Sequence, residues 1–292
     1  MSVVALIVHE MRADAELHAR GLASWLRSRG HQLVILDQNV NEFAGRDGPL
    51  DLDVQVREPE DLAAGAELVI SLGGDGSMLR AVDLAAPHGV AVLGVNFGQL
   101  GYLTEVEPQN MTVAVEAALA GTAKVEERMR VAVTVVRAGG AEEFAGHALN
   151  EALIERGVTG HTVRLGLTID DEFFLSYAAD GIIVATPTGS TAYSMSARGP
   201  IVAPQHQAFV VTAVSPHQLF DRSLVLRPDS SVQVDVLPGR GASLSLDGRP
   251  AIDLAPGDRV ICRESPIPGL VVSTRTAPFL TVLKTKFGLE DR

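Results

Sequence analysis

Residues 68–86 read LVISLGGDGSMLRAVDLAA. An apolar run of strand length, 68–72, ends on Gly73-Gly74-Asp75-Gly76-Ser77, and from 77 to 86 the apolar spacing becomes helical until Pro87 stops it. Strand, glycine loop and helix together make a βα unit, and the neighbouring sequence repeats it. Residues 3–8 form a short apolar run. Residues 13–29 carry a helical stripe at Leu17, Leu22, Trp25 and Leu26, closed by Gly30, and a second strand follows at 33–36. Residues 38–66 are polar and acidic, with Gly45, Gly48 and Pro49, and read as irregular and then briefly helical. A strand at 90–95 and a helix at 112–120, stopped by Gly121, complete the series. Repeated βα units with apolar strands predict an α/β domain over 1–124, a Rossmann-like parallel sheet covered by helices.

From about Val125 the period changes to two, in VAVTVVR, RLGLTI, SVQVDV and ASLSLDG. Gly139-Gly140, Asp170-Asp171, Pro238-Gly239 and Pro256-Gly257-Asp258 punctuate these runs. Short alternating strands with such turns predict a second, β-sandwich-like domain over 125–268. The stretch APFLTVLKTKFGL reads as a closing amphipathic helix within 269–292.

The 292 residues carry a formal net charge of -12, from 36 acidic against 24 basic side chains. Such a balance argues against nonspecific attachment to nucleic acid or an anionic membrane, where a basic patch supplies most of the attraction. Only Lys124, Lys284 and Lys286 are lysines, so phosphate chemistry is expected to rely on arginine, backbone amides or a metal. No run approaches the roughly 18 apolar residues that span a bilayer. A single cysteine, Cys262, rules out an internal disulfide, reads as a buried structural thiol and suits a reducing cytosol. The expectation is a soluble cytoplasmic protein.

Four loops could carry chemistry. In the first, glycines let backbone amides approach an anion and the following helix start favours negative charge, which makes a phosphate cradle. It has neither the lysine of a Walker A loop nor the G-x-G-x-x-G spacing. Asp75 is the odd residue: beside a polyphosphate it can take a proton from an attacking hydroxyl or help to hold magnesium. The alternative is a tight turn in which Asp75 caps the helix with its own side chain. The second loop, VNFGQLGYLTE, sits at the carboxyl end of the next strand, where open α/β sheets place ligands, with Gly98 and Gly101 beside Tyr102. In the third, HALNEALIERG, Asn150 and Glu151 set an amide beside a carboxylate, a pair suited to a ribose diol or an adenine edge. The fourth follows the buried strand 182–185 and is dense in Thr and Ser at a helix start, more hydroxyls than capping requires.

Together these loops resemble the NAD kinase family. The matching pieces stand in family order as GGDGS (73–77), NFGQLGYL (96–103), LNE (149–151) and DGIIVATPTGSTAYSMSARGPIVAP (180–204). Weaker matches follow at PHQLFDR (216–222) and LDGR (246–249). GGDGS alone is shared with phosphofructokinases and with diacylglycerol and sphingosine kinases, whereas DGIIVATPTGSTAY is specific. The resemblance implies the two-domain NAD kinase fold, with the chain end returning to the first domain. It also implies phosphoryl transfer from ATP, or from polyphosphate, to the 2′-hydroxyl of the adenosine ribose of NAD, assisted by a divalent metal such as Mg2+.

By the same resemblance Asp75 is the general base and Gly73, Gly74, Gly76 and Ser77 form the polyphosphate loop. Tyr102, Asn150, Glu151, Thr188, Thr191, Ala192, Tyr193 and Ser196 hold NAD, and Asp180 contacts its nicotinamide half, often from a neighbouring subunit. The assembly implied is a homodimer or homotetramer. Tyr102 replaces a usual phenylalanine, and Ala178 stands where some relatives have an arginine that bears on donor choice. His161 falls where many relatives carry a binding histidine, Arg249 occupies a variable position near the NAD pocket, and HEMRADAELHAR (9–20) matches poorly. Two rivals remain from the residues alone: a lipid or sugar kinase sharing only GGDGS, and an NAD-binding regulator without chemistry.

Overall fold

The computed structural model describes residues 1–8, 13–36, 54–98, 101–158, 160–274 and 279–289. The opening of HEMRADAELHAR (9–12), the polar stretch 38–53, and Gln99 and Leu100 of the second loop lie outside the described residues. The chain divides into two compact units, Met1–Glu127 with Gly269–Arg292, and Arg128–Pro268.

The first unit runs β1 (Val3–Val8), α1 (Ala13–Ser28), β2 (Gln32–Leu36), β3 (Val54–Arg57), β4 (Leu68–Gly73), α2 (Asp75–Ala85), β5 (Val92–Asn96), α3 (Met111–Leu119) and β6 (Lys124–Arg128). Strands β3-β2-β1-β4-β5 pair in that order and all in parallel. β4 is buried along its whole length, which is why it reads as an unbroken apolar run rather than an alternating one.

Two expectations change here. Among its described residues, the stretch expected to be irregular and then briefly helical begins with a strand, β3, ahead of a short 3-10 turn at Pro59–Asp61. β3 is a four-residue edge strand that buries none of its side chains, so it leaves no hydrophobic signature. In α1 the buried face is Ala15, Ala19, Leu22, Ala23 and Leu26, while Leu17 is 71% exposed. Leu17 lies two residues on from Ala15, and at 3.6 residues per turn that places it on the opposite side of the helix.

In the second unit β7 (Val131–Val136), β8 (Glu142–Ala148), β9 (Glu151–Arg156), β10 (Val163–Ile169), β11 (Glu172–Ala179), β12 (Gly181–Ala185), the single-turn helix α4 (Tyr193–Ser196), β13 (Phe209–Val214), β14 (Leu224–Leu226), β15 (Val232–Val236), β16 (Ala242–Leu246), β17 (Arg249–Leu254) and β18 (Arg259–Glu264) follow one another. They build two six-stranded sheets, β11-β10-β15-β18-β7-β8 and β14-β13-β12-β9-β16-β17. All their pairings are antiparallel. One core, including Val133, Leu165, Val234 and Val260 from the first sheet and Ile154, Ile182, Phe209 and Leu244 from the second, fills the sandwich. Burial alternates along β15 and β16 as the period-two pattern predicts. β12 is buried on both faces, because Ile183 and Ala185 pack into a separate cluster with Val210. Asp170 and Asp171 both take positive φ, 49° and 64°, as a tight hairpin between β10 and β11 requires. Cys262 is fully buried, and burial pushes its thiol up to about 12, as expected of an inert structural cysteine.

The chain then returns to the first unit as β19 (Gly269–Ser273) and α5 (Phe279–Phe287). β19 lies parallel to β5 and completes a seven-stranded sheet, β3-β2-β1-β4-β5-β19-β6. A parallel α/β unit and an antiparallel β-sandwich are the fold class that the sequence predicts.

Candidate functional site

Within the first unit, β4 ends at Gly73, and Gly74 is the extended residue before α2, with φ -110°. Asp75 is therefore the first residue of the helix, two positions earlier than the apolar spacing predicts, where a carboxylate is favoured by the helix dipole. The N-cap is Gly74, and the Asp75 carboxylate does not turn back onto the amides of its own helix. It is held instead by the second loop. The Tyr102 amide donates to Oδ2 at 2.8 Å, while Oδ1 accepts from the Leu103 amide (3.1 Å), the Thr104 amide (3.2 Å) and the Thr104 hydroxyl (3.2 Å). Oδ1 is thus saturated, and Oδ2 keeps acceptor capacity for a further donor.

The glycines divide into two kinds. A side-chain carbon at Gly74 or Gly76 would meet nothing within 4 Å, and neither has positive φ, so the turn itself does not demand them. They leave the α2 amides bare, as a phosphate cradle needs. Gly101 is required by packing against Asp75 and Thr104. Ser77 is half-buried in the first turn of α2.

Tyr102 is half-buried, and burial, with the Asp75 charge second, pushes its phenol up. The Lys286 ammonium of α5 lies 3.8 Å from the centroid of its ring. Burial lowers the Lys286 pKa, and the Asp75 charge partly restores it. The sequence reading passed over this lysine because it weighed the number of lysines rather than the position to which the returning helix carries one.

In the second unit the LNE loop is gripped by LDGR. Asp247, at φ 50°, accepts from the amides of Leu149 (2.8 Å), Asn150 (2.7 Å) and Glu151 (3.2 Å). The turn residue Asp247 is the structural partner that reading the loops separately missed; the Asp-Gly pair at 247–248 was its only local signal. Asp247 is itself pushed up by burial, against its three backbone donors and Arg249. Glu151 is raised from 4.5 to about 8, first by burial and then by Asp247, while a hydrogen bond with the Tyr193 backbone works the other way. At neutral pH it is largely a carboxylic acid, able to donate as well as accept. Its Oε2 is buried without a hydrogen-bond partner, and so is the Thr188 hydroxyl.

The hydroxyl-rich fourth loop corrects an expectation. Most of its hydroxyls build the turn. Thr186 donates to the Leu149 carbonyl at 2.5 Å, Ser190 to the Pro187 carbonyl at 2.7 Å and Thr191 to the Thr188 carbonyl at 3.2 Å, while Ser194 bonds Thr212 at 3.2 Å. Thr188 alone of the loop's buried hydroxyls is left open. The helix it was expected to start is the single turn α4, after a 3-10 turn at Gly189–Thr191. Gly189 packs directly on the Asn150 carbonyl, where an added carbon would lie 2.0 Å away, so the third and fourth loops form one body.

The exposed Tyr193 and Ser196 line a cavity of about 500 Å³ with Arg198, Ser215, Gln218 and Asp221. Ala192 is half-buried beside them in the chain. Asp180 pairs with Arg156 at 2.8 Å, and the Ala178 carbonyl accepts from the His217 amide at 2.8 Å. Arg249 is exposed at the start of β17, and His161 sits exposed on a bend. His161 is not gathered with the LNE and LDGR loops by any described hydrogen bond.

These features accompany clear kinship. The ATP-NAD kinase N-terminal domain matches residues 4–123, and the ATP-NAD kinase C-terminal domain matches 149–274. The NAD kinase of Heliobacterium modesticaldum is 36% identical over 287 residues, 98% of each chain, and that of Symbiobacterium thermophilum is 41% identical over 288 residues, 98% of this chain and 99% of the relative. In fold the chain is similar to yeast NADH kinase complexed with NADH (TM-score 0.91, 24% identity, 100% of this chain and 89% of that one). It is also similar to an Archaeoglobus fulgidus NAD kinase in complex with ATP (TM-score 0.75, 22% identity, 98% and 97%). The chain belongs to the NAD kinase family.

Proposed function

We infer that this chain transfers a phosphoryl group from ATP, or from another phosphoryl donor such as polyphosphate, to the 2′-hydroxyl of the adenosine ribose of NAD. The observation that carries the reading is the fixed carboxylate of Asp75 at the carboxyl end of β4, oriented by three amides and one hydroxyl from residues 102–104. A ribose hydroxyl is a poor nucleophile. As its oxygen bonds to the transferred phosphorus and the bond to the leaving phosphate breaks, its proton must go to a base, and Asp75 Oδ2 is free to take it. Holding the carboxylate in advance spares reorganisation during transfer.

Gly73, Gly74, Gly76 and Ser77 offer backbone amides to the donor phosphates. Asn150, Glu151, Thr188, Thr191, Ala192, Tyr193 and Ser196 are proposed to receive NAD, with Asp180 toward its nicotinamide half. Glu151 in its acid form and the open Thr188 hydroxyl suit a ligand rich in hydroxyls and ring nitrogens. Among the described residues no group of three or more His, Cys, Asp or Glu is placed to hold a metal. Magnesium commonly takes one or two carboxylates together with substrate phosphates, and Asp75 would reach such an ion through a water, which leaves Oδ2 to the proton. Such an ion, arriving with the donor, would neutralise phosphate charge. No described helix is long and apolar enough to cross a membrane, and the proposed setting is a cytoplasmic homodimer or homotetramer. Incubating the pure protein with NAD, ATP and magnesium tests the reading; no NADP with any donor or divalent metal would falsify it.

A further inference from the structure

We propose that Lys286 is a further catalytic residue: its ammonium binds the donor phosphates over the GGDGS loop, supplying from the last helix the cation that the loop itself lacks. The proposal rests on the kinase reading above. A phosphate loop with an aspartate at its centre sets an anion beside an anion, and phosphoryl transfer adds charge on the transferring and leaving oxygens. Some positive group has to stand there besides any metal ion.

Of the three lysines, Lys124 pairs with Glu126 at 3.0 Å and Lys284 is exposed on α5. Lys286 is half-buried, with its Nζ 3.8 Å from the centroid of the Tyr102 ring. Tyr102 is the residue whose amide donates to Asp75 Oδ2. Ammonium, ring and carboxylate therefore form one group drawn from α5, the second loop and α2. Electrostatic coupling joins Lys286 directly to Asp75.

Two features favour a ligand over a simple clamp on the ring. Among the described residues no carboxylate or carbonyl hydrogen-bonds the Lys286 ammonium, so its three protons remain to be spent, and phosphate oxygens accept such donors strongly. In addition, the half-buried residues of α5, Phe279, Val282, Leu283 and Lys286, share one helical face, so the helix carries Lys286 on its inward side rather than in open solvent. A compact point charge on a flexible stem is the lysine chemistry used on phosphates elsewhere.

The test uses the full chain and the variants Lys286→Met, Lys286→Arg and, on the exposed side of the same helix, Lys284→Met. NADP formation is measured against ATP–magnesium and against NAD separately, and binding of inorganic tripolyphosphate is measured by calorimetry without NAD. Loss of one preorganised charge contact is expected to lower kcat/KM for the donor by about thirtyfold or more in Lys286→Met. The KM for NAD should stay within about threefold, and tripolyphosphate should bind about tenfold more weakly. Lys286→Arg should recover to within about fivefold of the parent, and Lys284→Met should stay within about twofold. If Lys286→Met melts, Lys286→Gln takes its place in every arm.

Unchanged donor kinetics in the folded variant overturn the proposal, as does a loss that falls equally on NAD. Should the parent chain make no NADP, the kinase reading fails, and tripolyphosphate binding alone then decides on Lys286. Equal binding by parent and variant overturns it.

Discussion

Gly101 and Asp75 stand so close that a carbon added to Gly101 would lie 2.0 Å from Asp75 Oδ1, and 2.4 Å from the Thr104 hydroxyl. The glycine is the gap through which the second loop reaches the carboxylate. Gly101→Ala must therefore turn the carboxylate away from the 102–104 amides or push the loop outward. Overpacking of this kind costs about 1–3 kcal/mol. We expect a lower melting temperature and a fall in NADP formation of at least about tenfold, because the base is displaced.

Asp75→Asn keeps the shape of the side chain and removes the base. Turnover should fall by about 10²–10⁴-fold, with NAD affinity by calorimetry within about threefold of the parent. A loss in turnover below about tenfold removes Asp75 from the general-base role.

Glu151 gives a pH test with a definite sign. Its pKa is raised from 4.5 to about 8 on folding, so between those values the folded chain binds more protons than the unfolded one. Its contribution is fully present below 4.5 and is lost as pH rises toward 8, at about 1.4 kcal/mol per pH unit. Asp247, also raised by burial, acts in the same direction. Urea unfolding of the parent and of Glu151→Gln at pH 5.5, 6.5 and 7.5 should show the parent losing about 2 kcal/mol relative to the variant across the series. A difference independent of pH would place Glu151 in water, contrary to its burial.

Asp247→Ala removes the acceptor shared by three amides and puts alanine at φ 50°. Hydrogen bonds to a charged group contribute about 1.5–3 kcal/mol, so a loss of about 3–5 kcal/mol is expected in chemical denaturation. Asp247→Asn tolerates the same φ and keeps an acceptor. It should recover much of the stability and show its defect chiefly as a raised KM for NAD.

Much of the fold is legible along the chain because burial leaves a pattern. β4 is apolar throughout because both of its faces are covered, and β15 and β16 alternate because one face is. β3 escaped notice because an edge strand without buried side chains has no pattern to leave, and Leu17 was set on the inner stripe of α1 because alanines carry much of its buried face. In the candidate site, Asp75 stood out as a charge in a glycine loop, yet its partners lie 27 to 29 residues further on. The grip of Asp247 on residues 149–151 spans nearly a hundred residues, beyond any local signal. The fourth loop stood out for its density of hydroxyls, although Thr186, Ser190 and Thr191 each spend theirs on a nearby carbonyl. Composition alone set the lysines aside, and composition does not say where a chain end lies.

The place of β19 between β5 and β6 carries a consequence for the order of assembly. During synthesis β5 and β6 emerge well before the strand that separates them, so the first sheet cannot close over its proper neighbours until residue 269 has left the ribosome. The sandwich of Arg128–Pro268 has all of its strands by then. Domains generally fold in the order in which they are made, yet here the last strand of the first unit's sheet is made only after every strand of the sandwich. The half that begins the chain is the last to be finished, and a chain halted before β19 would expose the edge of β5 to any other strand that could pair with it.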